Sequence, residues 1–387
     1  MSNTLAVNAL PMRTYRWLKM NTEQMAVDET LSFAAIESDA LPALPDGITK
    51  KTGITRKDIL SLFQEVSAGI RKGDREAIKP NGDAFVDSKQ AIPTGMGLRI
   101  DALMEREEID ASLYTVAAGT KVAEPLSLRF SPEHETAALA RQVLHVEKDA
   151  EVTVLIDYYT HRTFAGFFGI QTLLLLEEGA RVHLAQVQML GGGFTHFDDI
   201  GAVVSSDASL DLVRLEFGSN AAFSGCAVNL TGEDASFTCE AAYLARRKQK
   251  YDYNYVATHR GKRTKGTMHF HGVLLDQSEK MLRGTIDFRA GASDADGEEN
   301  EDVLLLSDAA INRTIPIILC QEENINGHHG ATIGQLSDEM LFYMQSRGFS
   351  ADEAKKLMIR AKIMRVMNLL PDGDLKSHVN AYLCDTL

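Results

Sequence analysis

The chain has 387 residues, of which 44% are hydrophobic and 24% charged, enough to bury a large core over two or three domains. Its formal net charge of −14 argues against nucleic acid or an anionic membrane as partner, since both call for a basic face. No apolar run approaches the ~20 residues of a membrane span, and the N-terminal stretch lacks an apolar signal core, so a cytoplasmic protein is expected.

Residues 1–112 read as an N-terminal helical and loop domain. Ile59, Phe63, Val66 and Ile70 follow helical spacing, Thr55 and Asp58 form a cap, and Gly73 marks the stop. Turn-rich segments surround this helix: LPALPDG, KPNGDAF and AIPTGMG.

Residues 113–325 change texture. Four stretches share one plan, an apolar strand, a short polar turn, a small residue and a second alternating strand: LHVEKDAEVTVLIDY, LLLEEGARVHLAQVQ, AVVSSDASLDLVRLEF and AVNLTGEDASFTCEAAY. Their shared alanines, Ala150, Ala180, Ala208 and Ala235, are separated by 30, 28 and 27 positions. A period in that range points to stacked repeats. No helical pattern separates the strands, which argues against a doubly wound α/β sheet. A β-sandwich need not repeat its turns at one spacing. A parallel β-helix explains both the period and the missing helices, and its last coil would be an edge needing a cap or a partner.

Residues 326–387 form a C-terminal helical domain. Asn326–Gly348, NGHHGATIGQLSDEMLFYMQSRG, places His328 and His329 in an Asn-Gly turn where strand gives way to helix. Ser337 caps the next helix and Gly348 stops it. Ser350-Ala351-Asp352-Glu353 is a capping box for a helix carrying Ile359, Ile363, Val366 and Leu370, which stops at Pro371-Asp372-Gly373. A last helix covers Leu375–Leu383. Met-rich and basic, this tail suits a core or a docking surface.

The chemistry is sparse. Phosphate-loop, dinucleotide-binding, nucleophile-elbow and H-E-x-x-H signatures are all missing, so no nucleotide hydrolysis of its own is expected. Cys226, Cys239, Cys320 and Cys384 lack C-x-x-C spacing. His269-x-His271 puts two imidazoles on one strand face, as a chelating pair or as a coil's polar outer face. Gly191-Gly192-Gly193 and the run Arg246–Lys250 are weak phosphate signals, or simply turns. Six carboxylates between Asp294 and Asp302 read as a solvated loop, a loose cation site or the acidic groove of a β-helix carbohydrate-active lyase or hydrolase.

Two segments carry a resemblance. GTIDFRAGASDADGEENEDVLLLSD (Gly284–Asp308) and the H-G-A-T-x-G-Q-L…LFY-x-x-S-R-G run after it resemble the SufB/SufD family of iron–sulfur cluster assembly scaffolds, its SufD side most closely. LPMRTYRWLKMN near the N-terminus resembles the SufD entry segment. The resemblance implies a mainly β protein, a right-handed parallel β-helix flanked by N-terminal and C-terminal helical domains. It implies a non-ATPase scaffold that pairs with SufB through the β-helix, or with itself when isolated. A SufC ABC ATPase docks on its C-terminal helices, here in the region of Leu341, Phe342, Tyr343, Arg347 and Leu357. A transient cluster is built with SufB from sulfur delivered by a cysteine desulfurase or carrier. ATP enters only through the partner ATPase, and a flavin within the complex is compatible. The H-G-A-T histidine matches His329, the implied metal ligand at the interface, with His328 beside it. Some members read C-S-H-G-A-T; here Gly327 and His328 hold the Cys and Ser positions. The segment Asn300-Glu301-Asp302-Val303, matching the region of SufB's working cysteine, has no thiol.

Overall fold

The computed structural model describes residues 2–12, 18–28, 32–39, 44–67 and 92–387. Ala111–Val116 begins a parallel solenoid that runs to Ile325–Gln335. Alternate strands feed two sheets. One holds eight strands from Leu126–Phe130 to Ile325–Gln335, and the other ends on Ile311–Cys320. Successive coils align residue for residue, so each side chain stands above its equivalent in the coil before.

The corners explain the sequence period. Asp149, Gly179, Asp207, Asp234, Arg263 and Asp294 all adopt positive φ, where the chain folds sharply back. A small residue follows each one, and Ala150, Ala180, Ala208, Ala235 and Ala295 are all fully buried. A larger side chain at these corners would push adjacent coils apart. Inward residues from both sheets then fill one continuous core, with Phe168, Leu174, Leu212 and Tyr255 among its members.

Outer faces are covered from both chain ends. Helix α1 (Arg56–Ser67) sets Ile59 and Phe63 on Val143, Leu173 and Leu175, and Thr55 with Asp58 caps it as expected. Helix α2 (Leu98–Arg106) packs on Leu139, Phe167 and Phe197. The N-terminal region also forms strands, including Ile48–Ile54, which pairs antiparallel with Ala111–Val116. The side chain of Val66, together with Ile70, Gly73 and KPNGDAF, lies outside the described residues.

At the other end α3 (Asp338–Ser346) is capped by Ser337, and α4 (Ala351–Met367) carries the full capping box of Ser350 and Glu353. Asp372 caps α5 (Gly373–Thr386). Ile359, Ile363, Val366 and Leu370 are buried against Ala242, Leu244, Val273 and Leu304 on the eight-stranded sheet, as helical spacing predicts. Among the described residues no helix is long and apolar enough to cross a membrane.

Two expectations are corrected. Asn326–Gly334 is not a turn, because Ile325–Gln335 forms the last strand, in parallel register with Ala295–Leu305. The acidic stretch is not a solvated loop either. Asp294 forms a corner, and Ala295–Leu305 is a strand whose carboxylates alternate between the interior and the outer face. In both places the hydrogen-bond ladder of a neighbouring coil overrides local turn and charge signals.

Candidate functional site

Among the described residues both sheets end on strands with one unpaired edge, Ile311–Cys320 and Ile325–Gln335. Helix α4 lies mainly over earlier coils, and α3 packs on α4. The exposed side chains of Ile311 and Ile333 mark this open end. An unpaired edge of this length ordinarily needs a cover.

The last strand divides the two histidines between its faces. A Cβ added to Gly327 would meet Phe288 and Ile318, so Gly327 faces the interior. His329, two residues on, faces the same way. A Cβ on Gly330 would meet Asn300 on the outside, and His328 shares that face. Both imidazoles are solvent-exposed. Only His329 looks into the mouth of the solenoid.

Beneath His329 runs a single interior column: Val154, Leu184, Leu212, Cys239, Met268, Glu299 and then His329. Five apolar or weakly polar rungs thus give way to a carboxylate and an imidazole at the open end. The adjacent column places Phe270, Glu301 and Ala331 in register. Glu301 is bonded to the Lys280 ammonium and the Thr314 hydroxyl, and Tyr243 donates to it at 2.8 Å. Lys280 also donates to Thr314 at 3.0 Å.

Glu299 has no such support. It is 1% exposed, and neither carboxylate oxygen has a hydrogen-bond partner among the described residues. Its side chain reaches across to Gly284, where a Cβ would clash at 2.7 Å. Burial and then the charge of Glu301 raise its pKa to about 8, against the pull of Lys280. Burial also lowers the pKa of Lys280, while Glu301 opposes that change. This polar floor escaped sequence reading because its carboxylates looked like part of a loop. Threading the repeat one coil further would have placed Glu299 and Glu301 inside.

The other candidates fall elsewhere. Cys320 ends its strand exposed, with its thiol donating to the Glu322 carbonyl at 2.9 Å. His269 and His271 lie on the outer face, bonded to Glu240 at 2.8 and 3.3 Å. Burial opposes ionisation of Glu240, yet the two imidazoles hold its pKa at about 2. Among the described residues no three His, Cys, Asp or Glu side chains are placed to hold a metal ion. His329 can therefore offer one donor from this chain to a metal or cluster that another chain helps to hold.

The proposed docking residues are outward-facing. Helix α3 has no buried residue, and Phe342 is 72% exposed. Leu341 is half-buried, whereas Tyr343 and Leu357 are exposed. The Arg347 guanidinium sits 5.2 Å from the Tyr343 ring centroid.

The outer-groove arrangement needed by a carbohydrate-active enzyme is not assembled. Glu299 and Glu301 point inward, Glu298 is bonded to His269 and Asn300, and Asp302 pairs with Lys362.

Comparison with known proteins agrees with this architecture. Residues 129–362 match the family model described as SUF system FeS cluster assembly, SufBD core domain. The iron–sulfur cluster assembly protein SufD of Bacillus subtilis is 26% identical over 272 residues, covering 70% of this chain and 62% of that protein. SufD of Escherichia coli is 22% identical over 307 residues, covering 76% and 71%. SufB of Bacillus subtilis is 23% identical over 326 residues, covering 82% and 66%. The chain thus spans under two thirds of the Bacillus SufD it matches.

Proposed function

The chain belongs to the SufBD family of SUF-system iron–sulfur cluster assembly proteins, and from that premise we propose that it acts as a SufD-like scaffold subunit. In this reading its unpaired last coil pairs with a SufB-type partner, and the nascent cluster, cargo rather than resident cofactor, is built between them. His329 supplies this chain's ligand, and His328 lies on the opposite face of the same strand. The outward faces of α3 and α4, from Leu341 to Leu357, dock a SufC-type ATPase. Sulfur comes from a cysteine desulfurase or its carrier through the complex. ATP is consumed by the partner, and any flavin belongs to the assembled complex. An isolated chain would cover its edge by homodimerisation. The proposed compartment is the cytoplasm.

One observation carries the reading: the apolar interior column gives way to Glu299 on the penultimate strand and His329 on the last, whose outer edge has no partner strand among the described residues. A burial-driven core has no reason to end that way, whereas a site completed by a second chain does. The test is co-expression with SufB-type and SufC-type proteins followed by size-exclusion chromatography with mass determination. A complex containing all three supports the proposal. Failure to associate with either partner contradicts it.

A further inference from the structure

Along one flank of the solenoid, six successive corners, from Arg162 to Ala309, line an open cavity of about 970 Å³. They are the corners at which the eight-stranded sheet hands the chain back to the other sheet. The C-terminal turn of α5 forms the remaining wall. Two features that looked unrelated in the sequence meet here, the Gly191–Gly193 turn and the basic run beginning at Arg246.

The charge of the cavity is opposite to that of the molecule. Arg162, Arg246, Arg247 and Lys248 line it, against only Asp276 and Asp385. Four cations less two carboxylates leave a local charge of +2 in a chain whose formal net charge is −14. Half of the cations serve the fold. Arg162 is held by Asp385 at 2.7 Å, and Arg246 donates to the Thr386 carbonyl at 2.6 Å. Arg247 and Lys248 have exposed side chains with no carboxylate ion pair among the described residues.

Arg247 is also placed at a conformational cost. It adopts φ of 58°, at a corner where the neighbouring coils place Ser219 and Asp276. The other arginine in that conformation, Arg263, is tied to Asp234 and Glu233. Arg247 has only its backbone fixed, with its amide donating to Asp276 at 2.7 Å and its carbonyl accepting from Gln277 at 2.8 Å. The corner is rigid and the guanidinium is left over.

The glycine turn contributes space rather than donors. The Gly191, Gly192 and Gly193 amides already donate to Thr160, Arg162 and Phe164. A Cβ on Gly192 would meet nothing closer than 3.9 Å, so its side of the cavity stays open. Nearby, the Tyr382 ring stacks on Phe217 at 6.2 Å and lies 5.9 Å from the Arg162 guanidinium.

We propose that this cavity binds a phosphate-bearing small molecule, gripped by Arg247 and Lys248 and bounded by Arg162, Arg246 and Tyr382. Its volume lies within the ~300–1,000 Å³ usual for small-molecule sites. Unpaired guanidinium and ammonium groups match phosphate oxygens in charge and hydrogen-bonding geometry. The inference stands apart from the cluster-assembly reading and does not depend on it.

The test is isothermal titration calorimetry on the full chain at about 0.15 M salt, where weak surface attraction is screened. The probes are inorganic pyrophosphate and ADP, against wild type and the Arg247→Gln/Lys248→Gln variant. Both substituted side chains are exposed, and circular dichroism of the variant verifies its fold. Expected is saturable one-site binding by wild type, weakened at least ~10-fold in the variant. Tighter binding of ADP than pyrophosphate identifies a nucleotide-like ligand; equal binding identifies the phosphate group alone. The proposal is overturned if wild type binds neither probe saturably, or if the folded variant binds them equally well. A glutamate-rich peptide binding as tightly as pyrophosphate would also overturn it, in favour of a docking acidic chain.

Discussion

Replacing Glu299 with Gln should change how stability depends on pH. In the folded chain its carboxyl titrates at about 8, raised from 4.5 by burial and by Glu301. Between those two values folding takes up a proton that the unfolded chain has released, so stability falls as pH rises. At about 1.36 kcal/mol per pH unit, the full loss is about 5 kcal/mol above pH 8, and about 3 kcal/mol has accrued by pH 7. Glutamine keeps the shape of the neutral acid and cannot ionise, so that contribution to the slope disappears. Urea unfolding followed by circular dichroism, at intervals from about pH 5 to about pH 9, measures the difference. The variant's stability relative to wild type should rise by ~1.4 kcal/mol per unit and level off above about pH 8. The unpartnered amide adds an offset at every pH, so the slope carries the result. Parallel profiles would refute the reasoning, because they would mean that the folded carboxyl ionises as readily as the unfolded one.

Lys280→Met leaves Glu301 buried without its ion pair and should cost about 3–5 kcal/mol by urea unfolding. Adding Glu301→Leu should recover part of that loss, since it removes the stranded charge. Ser350→Ala removes the capping box of α4 and should cost ~1 kcal/mol, with faster amide exchange confined to the first turn of that helix. Phe342→Asp should leave the melting temperature nearly unchanged because the ring is 72% exposed. In a pull-down the same variant should lose association with the SufC-type ATPase; retained binding would remove α3 from the proposed dock.

The parts of the fold legible in the sequence were those governed by local rules. Ala150, Ala180, Ala208 and Ala235 recur because each follows a corner that leaves no room for a larger side chain. The caps at Thr55, Ser337 and Ser350 could be read because side chain and amide lie three residues apart. The end of the solenoid was hidden by signals that point the wrong way. Asn326-Gly327 looks like a turn, and carboxylates at 298, 299, 301 and 302 look like a loop. Only the pairing of Ala295–Leu305 with Ile325–Gln335 makes strands of both. His329 was found through its motif, whereas Glu299 beneath it required the register between coils.

Anaerobic reconstitution of the complex with SufB-type and SufC-type partners, comparing wild type with His329→Ala, tests the central claim most directly. The account predicts that the variant complex forms with normal stoichiometry while bound iron and acid-labile sulfide fall severalfold. A variant complex that assembles cluster at the wild-type yield would contradict it.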